Sequence, residues 1–139
     1  MNAFEWTPED LVFLPQIDAD HQKLIRDIEE LRKALTSDSA ATKLRYRSWQ
    51  LTKSLSVHFE HEERLMRRSR YPGQLWHQSQ HLAGRSKMGR LVAAIQGQEL
   101  GAIPAALQEL GQWFKDHVGL ADRMLGAHIR NDGRERLVS

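Results

Sequence analysis

The residues with the most chemistry in this chain come in pairs at helical spacing. His58 and Glu62 lie four apart in HFEHEERLM (58–66), and His77 and His81 lie four apart in WHQSQH (76–81). On an α-helix such pairs leave the same face, one above the other, with Cβ atoms about 5–6 Å apart. His117 and Asp122 form a third group, and His21 stands alone near the start. Imidazole and carboxylate groups converging on one place are metal-binding chemistry. The chain has no cysteine. Disulfides, iron–sulfur clusters and thiolate zinc sites are therefore excluded, and any metal must be held through nitrogen and oxygen.

Positioning such groups takes rods that share a layer. Apolar periodicity and punctuation predict four helices. The first covers about 18–35, with Leu24, Ile28, Leu31 and Leu35 on one stripe and Asp18 as its expected N-cap. After the break TSDSAAT, the second covers 41–68 with Leu44, Leu51, Leu55, Phe59 and Met66 inward. It stops before YPG, because Pro72 disfavours a helical Tyr71. The third covers 74–96, and the fourth covers 103–126 with Pro104 in its first turn. Long helices with short loops predict an all-α fold, an antiparallel up-down four-helix bundle. The expected organisation is one domain over 1–139: an extended N-terminal arm (1–17), the bundle (18–126) and a charged C-terminal tail (127–139).

Each helix then offers one or two metal-capable groups at a compatible depth. One spacing resists. His117 and Asp122 are five apart, roughly 140° around a regular helix. For both to reach one centre, either a wide site or a local π-bulge is needed, and such an irregularity is expected around Val118–Ala121, where Gly119 weakens the regular helix. The bland alternative makes each histidine an ordinary core or boundary residue, and for any single one it is the commoner reading. Taken together it fails. Burying five imidazoles and two carboxylates without a cation leaves several polar groups unpaired, at about 1–3 kcal/mol each.

The segments IDADHQKL (17–24), HFEHEERLM (58–66), YPGQLWHQSQH (71–81) and WFKDHVGLAD (113–122) resemble, in order, the signature blocks of hemerythrins, the single-domain bacterial kind in particular. The opening FEW (4–6) fits as well. The resemblance implies a non-haem di-iron centre: two iron ions (Fe2+/Fe3+) with a bridging oxide or hydroxide. It implies that His77, His81 and His117 hold one iron and His21 and His58 the other, with Glu62 and Asp122 bridging them. On that implication one coordination position stays open, on the iron with two histidines, and dioxygen binds there reversibly. By matched position, Leu24, Phe59, Trp113, Phe114 and Val118 line an apolar oxygen pocket, though core packing alone would also explain them. Phe114 stands where the family often carries a smaller aliphatic residue, so narrower access is expected.

Hydrophobic residues make up 40% and charged residues 27%, with a net charge of +2. That balance makes no case for a nucleic-acid partner. No apolar run is long enough to span a bilayer. The opening MNAFEWTPED lacks the pattern of a secretion signal, so the expected location is cytoplasmic. Three functions compete: reversible dioxygen carriage, storage or delivery; a sensor or scavenger of oxygen, nitric oxide or redox state; and a di-iron oxidase or peroxidase. Oxygen-activating di-iron bundles use paired Glu-x-x-His motifs, and none occurs here; nor does the His-Glu-x-x-His of zinc hydrolases. A binding protein without catalysis is expected, its protein partner unspecified.

Some residues stay outside that reading. Arg64, Arg67, Arg68 and Arg70 read as a solvated helix end whose charges suit the dipole, with contact to an anionic partner as the alternative. His61 and His128 match no ligand position and are expected on the surface. Asp18 has a second reading, as an acceptor behind the metal ligands. Gly84 and Gly89 sit in the third helix at about 1 kcal/mol each relative to alanine, with no role apparent.

Overall fold

The computed structural model describes residues 5–36 and 40–132. Phe4 of the arm, positions 37–39 of the first linker and positions 133–139 of the expected tail lie outside these. Helices run Pro15–Thr36 (α1), Ala41–Arg68 (α2), Gln74–Gln96 (α3), Ile103–His117 (α4) and Arg123–Asp132 (α5), and a π segment at Val118–Asp122 joins α4 to α5. No strand occurs among the described residues. α1 packs on α2, α2 on α3 and α3 on α4, while α1 closes against α4. The fold is an all-α helical bundle.

The apolar stripes meet where their periodicity requires. Leu24, Ile28 and Leu31 of α1, Leu51, Leu55 and Phe59 of α2, Leu91 of α3 and Leu110 and Phe114 of α4 share one buried cluster. A smaller cluster gathers Met66, Tyr71, Leu125 and Ile129. Along α2 the inward order is Phe59, Glu62, Met66, and along the fourth rod it is Val118, Asp122, Leu125. Each of these acids therefore sits at the seam between two apolar clusters.

Two helix ends differ from the sequence expectation. α1 opens at Pro15, three residues before Asp18, because a proline's locked φ suits a first helical position where its missing N–H is no loss. Asp18 is therefore not the N-cap. It lies inside the first turn, and its Oδ1 accepts the Val12 amide at 2.8 Å. The fourth rod continues to Asp132, through six positions read as tail. Leu125 and Ile129 extend its apolar stripe into the smaller cluster, which offsets the entropy of ordering those turns. α2 ends where expected, at Arg68, but by a Schellman turn: Tyr71 N–H donates to Met66 O at 2.9 Å and Arg70 N–H to Arg67 O at 3.3 Å. Arg70 takes the left-handed position, φ 52°, where glycine is usual.

From Glu5 onward the arm is tied down. Thr7 N–H donates to Asp10 Oδ2 at 2.8 Å across a 3-10 turn at Pro8–Asp10. Lys115 Nζ donates to the same Asp10 oxygen at 2.6 Å and to Glu5 O at 2.9 Å. Arg123 donates to Glu9 O, and Arg130 to Val12 O. Val12 lies so close to α5 that a Cβ on Gly126 would stand 2.6 Å from its carbonyl oxygen. Any side chain at 126 would lift the arm.

Candidate metal centre

α1 brings His21, α2 brings His58 and Glu62, α3 brings His77 and His81, α4 brings His117, and the π segment brings Asp122. All seven are buried, none more than 2% exposed. Their donor atoms form two groups that share both acids: Glu62, His77, His81, His117 and Asp122 in one, His21, His58, Glu62 and Asp122 in the other. Within each group the atoms lie within 4.8 Å of one another. The structure brings together every residue singled out for the metal.

The π segment makes Asp122 part of this. It spans Val118–Asp122, where the five-residue spacing called for it. The wider turn swings Asp122 back beneath His117, so that His117 Nε2 and Asp122 Oδ1 are 2.9 Å apart. Asp122 then faces both groups: Oδ1 is 3.1 Å from His77 Nε2, and Oδ2 is 2.9 Å from His21 Nε2. Glu62 Oε1 lies 2.9 Å from His81 Nε2, 3.3 Å from His77 Nε2 and 3.4 Å from His58 Nε2.

Short distance is not satisfaction here. His117 Nε2, Glu62 Oε2 and both Asp122 carboxylate oxygens have no hydrogen-bond partner despite complete burial. His21 Nε2 and His58 Nε2 point at each other across 3.1 Å. Lone pairs that converge on common points without aligned donors are what a cation satisfies. The donor set fits a pair of metal ions bound by imidazole nitrogen and carboxylate oxygen.

Electrostatics of the metal-free layer agree. Burial opposes charge on His58, yet the nearby carboxylates of Glu62, Asp122 and Asp20 raise its pKa to about 10. Burial likewise opposes His117, but Asp122 and Glu62 raise it to about 9. His77 is raised against burial by the same two acids. Burial and the Asp122 charge push Glu62 upward, and the imidazoles of His58 and His117 still hold it well below the carboxylate range. Asp122 is lowered too, with His117 overcoming burial. Without metal, protons occupy the places that cations would take.

Two acids that sequence reasoning missed stand behind the histidines. Glu63 Oε2 accepts from His81 Nδ1 at 2.8 Å. Asp20 Oδ2 lies 3.3 Å from His58 Nδ1 and 2.8 Å from His61 Nδ1. Such partners set the tautomer and aim Nε2 inward. Adjacency to His21 and Glu62 was their only sequence signal. Asp18, the acid considered for this role, instead binds the Val12 amide. His61 is not a plain surface residue, since it shares Asp20 with His58. His128, also expected on the surface, is partly buried and meets Ser69 O at 2.9 Å.

The apolar residues divide between the two groups. Phe59 stacks on His81 with centroids 3.9 Å apart, and Trp113 stacks on His117 at 4.8 Å. Phe114 is edge-on to His21 at 5.5 Å and to His58 at 6.4 Å. Leu24 and Val118 are buried in the cluster that contains Phe114. Gly84 acquires a role: a Cβ there would meet the Trp113 ring at 2.4 Å, so only glycine lets that indole lie against α3. Gly89 faces open space and nothing in the structure explains it.

No curated protein and no solved structure matches the chain. A family model for the hemerythrin HHE cation-binding domain does match, over residues 12–129. That match takes in α1 to α4, most of α5 and all seven clustered donors, and the chain belongs to the hemerythrin HHE cation-binding family.

Proposed function

We propose that this protein takes up dioxygen reversibly at a pair of iron ions, for carriage, storage or delivery, and turns over no substrate. The observation that carries this reading is the asymmetry of the donor set: three imidazoles on one side, two on the other, and two carboxylates common to both. His77, His81 and His117 would hold one ion and His21 and His58 the other, with Glu62 and Asp122 shared. When bound, the ferrous pair supplies the electrons that dioxygen uptake draws on and release returns.

The chain's part is to aim and to exclude. Asp20 and Glu63 orient His58 and His81. Phe114, backed by the cluster that holds Leu24 and Val118, keeps water and its protons away from the half with fewer imidazoles. Nitrogen-rich ligation also favours holding oxygen over cleaving it. Iron analysis and the optical spectrum of reduced protein before and after air test the reading. Two ions per chain and an oxygen-dependent absorption that vanishes on removing oxygen are expected. One-way oxidation in air would instead favour a sensor or scavenger of oxygen or nitric oxide at the same centre. A chain that takes up no iron would end both readings.

A further inference from the structure

Helix α3 has two uncharged faces, and the bundle covers one of them. His77, His81, Gly84, Met88 and Leu91 are buried on the inner side. On the other side Leu75, Ser79, Leu82, Ser86, Gly89 and Ala93 are all exposed. They recur at alternating steps of four and three, the spacing of a seam between paired helices. Leu75 is 83% exposed and Leu82 68% exposed, and leucines aligned on one open face mark a contact surface more than a solvated one. α3 carries three cations, Arg85, Lys87 and Arg90, and no acid. Each cation turns to a flank of the seam. Arg85 donates to Ser56 Oγ at 3.2 Å and lies over the Phe59 ring. Lys87 borders a hollow with Glu109 and Asp116, and Arg90 pairs with Glu109 at 3.9 Å.

The seam is complementary to itself. Leu75 and Gly89 each lie seven residues from Leu82, about 10.5 Å along the helix. A Cβ on Gly89 would meet nothing within 4 Å, so the chain's own packing does not ask for glycine there. A second α3 laid antiparallel across Leu82 does. Leu82 then faces its own copy, and each Leu75 enters the space over the partner's Gly89, where the missing side chain lets the backbones approach. This setting also lays the turns of Arg85, Lys87 and Arg90 against the other chain's turns at 74–79, whose exposed residues carry no charge. A parallel setting would put those cations beside their own copies, where like charges repel. The seam is about 27 Å long and 10–12 Å wide, the low end for a specific interface, so the association is weak.

We propose that the outer face of α3 is a homodimer interface, in which two copies of this chain pair their α3 helices antiparallel about a two-fold axis at Leu82, each Leu75 seated on the partner's Gly89. The arrangement is isologous, the same patch serving both copies. It goes beyond the reading of the metal centre and does not depend on which ion the centre holds. Its seam backs the two turns that present His77 and His81 to that centre.

Sedimentation equilibrium of the full chain from about 5 to 500 µM tests the proposal, with a monomer–dimer equilibrium of micromolar Kd as the expected result. Leu82→Glu sets two like charges together at the axis and weakens the dimer at least about 100-fold. Leu100→Glu, at a leucine 70% exposed but outside α3, leaves association unchanged. Gly89→Leu fills the seat of Leu75 and weakens association at least about tenfold. Adding Leu75→Ala to Gly89→Leu exchanges knob and hole and restores association to within about tenfold of the parent, which a merely sticky surface would not do. All these positions are exposed, and circular dichroism checks that each variant keeps its helices. Monomers at every concentration overturn the proposal, as does a dimer that survives Leu82→Glu or is weakened equally by Leu100→Glu. A double variant no better than Gly89→Leu alone overturns it as well. So does a monomer that uses Leu82 to bind phosphatidylcholine vesicles instead of its own copy.

Discussion

The two halves of the histidine layer are held by different means. On the side of His77, His81 and His117, aromatic rings lie flat on the imidazoles: Phe59 on His81 and Trp113 on His117. Glu63 holds His81 from behind. On the side of His21 and His58, Phe114 meets both imidazoles edge-on, and Phe59 lies tilted against His58 at 6.1 Å. The acid behind His58 is itself shared with a partly exposed His61. Among the described residues, two of the three imidazoles on one side carry a stacked ring, and neither imidazole on the other does.

Breaking what the halves share has the largest effect. Glu62→Ala removes one of the two carboxylates common to both groups and is expected to lower iron affinity in both by more than about 100-fold, since even an outer partner costs about 10–100-fold. Retention of full iron content in that variant would show that the halves are independent. Single imidazole deletions come next. His58→Ala should leave about one ion per chain, lost from the two-histidine half, while His81→Ala should leave two imidazoles on each side and loosen the other ion. Metal analysis with competing chelator separates the two; identical losses would erase the asymmetry.

Removing the metal altogether exposes the protons. His58 and His117 have pKa values raised from 6.5 to about 10 and about 9 in the folded, metal-free chain. A raised histidine pKa stabilises fully below 6.5, and that contribution is lost as pH climbs through 9–10. Glu62 and Asp122 are lowered from 4.5 and 3.8, so their contribution is lost as pH falls below those values. Metal-free protein should therefore be most stable between roughly pH 4.5 and 6.5 and weaken steadily above it. Iron-loaded protein, its imidazoles already neutral, should keep its stability into the alkaline range. Urea midpoints across pH measure both, and parallel curves would refute the assignment.

Smaller effects probe each wall alone. Gly84→Ala drives a methyl into Trp113 and should cost about 1–3 kcal/mol by denaturant unfolding, with the indole displaced from His117 and the iron held by His21 and His58 little changed. Phe114→Leu should speed oxygen release by a few-fold with iron content intact. Unchanged release would mean that Phe114 packs the core and does nothing more.

Much of this was legible in the residues. The pairs His58/Glu62 and His77/His81 announce a shared face because helix geometry is local. The awkward five-residue step from His117 to Asp122 pointed to an irregular turn, and the π segment occupies it. What escaped notice depends on contacts between distant parts of the chain. Asp20 behind His58, Glu63 behind His81 and Gly84 under Trp113 each join different helices.

By itself, then, the sequence determined the rods, their apolar stripes and which side of each rod carries a donor. These follow from the regular rotation per residue along one helix. The rotational setting of one rod against the next was decided by the tertiary structure alone. It settled which carboxylates stand behind which imidazoles and how far α5 runs. Those outcomes come from close-packing side chains between rods, and packing is a property of the assembled interior that no single helix carries.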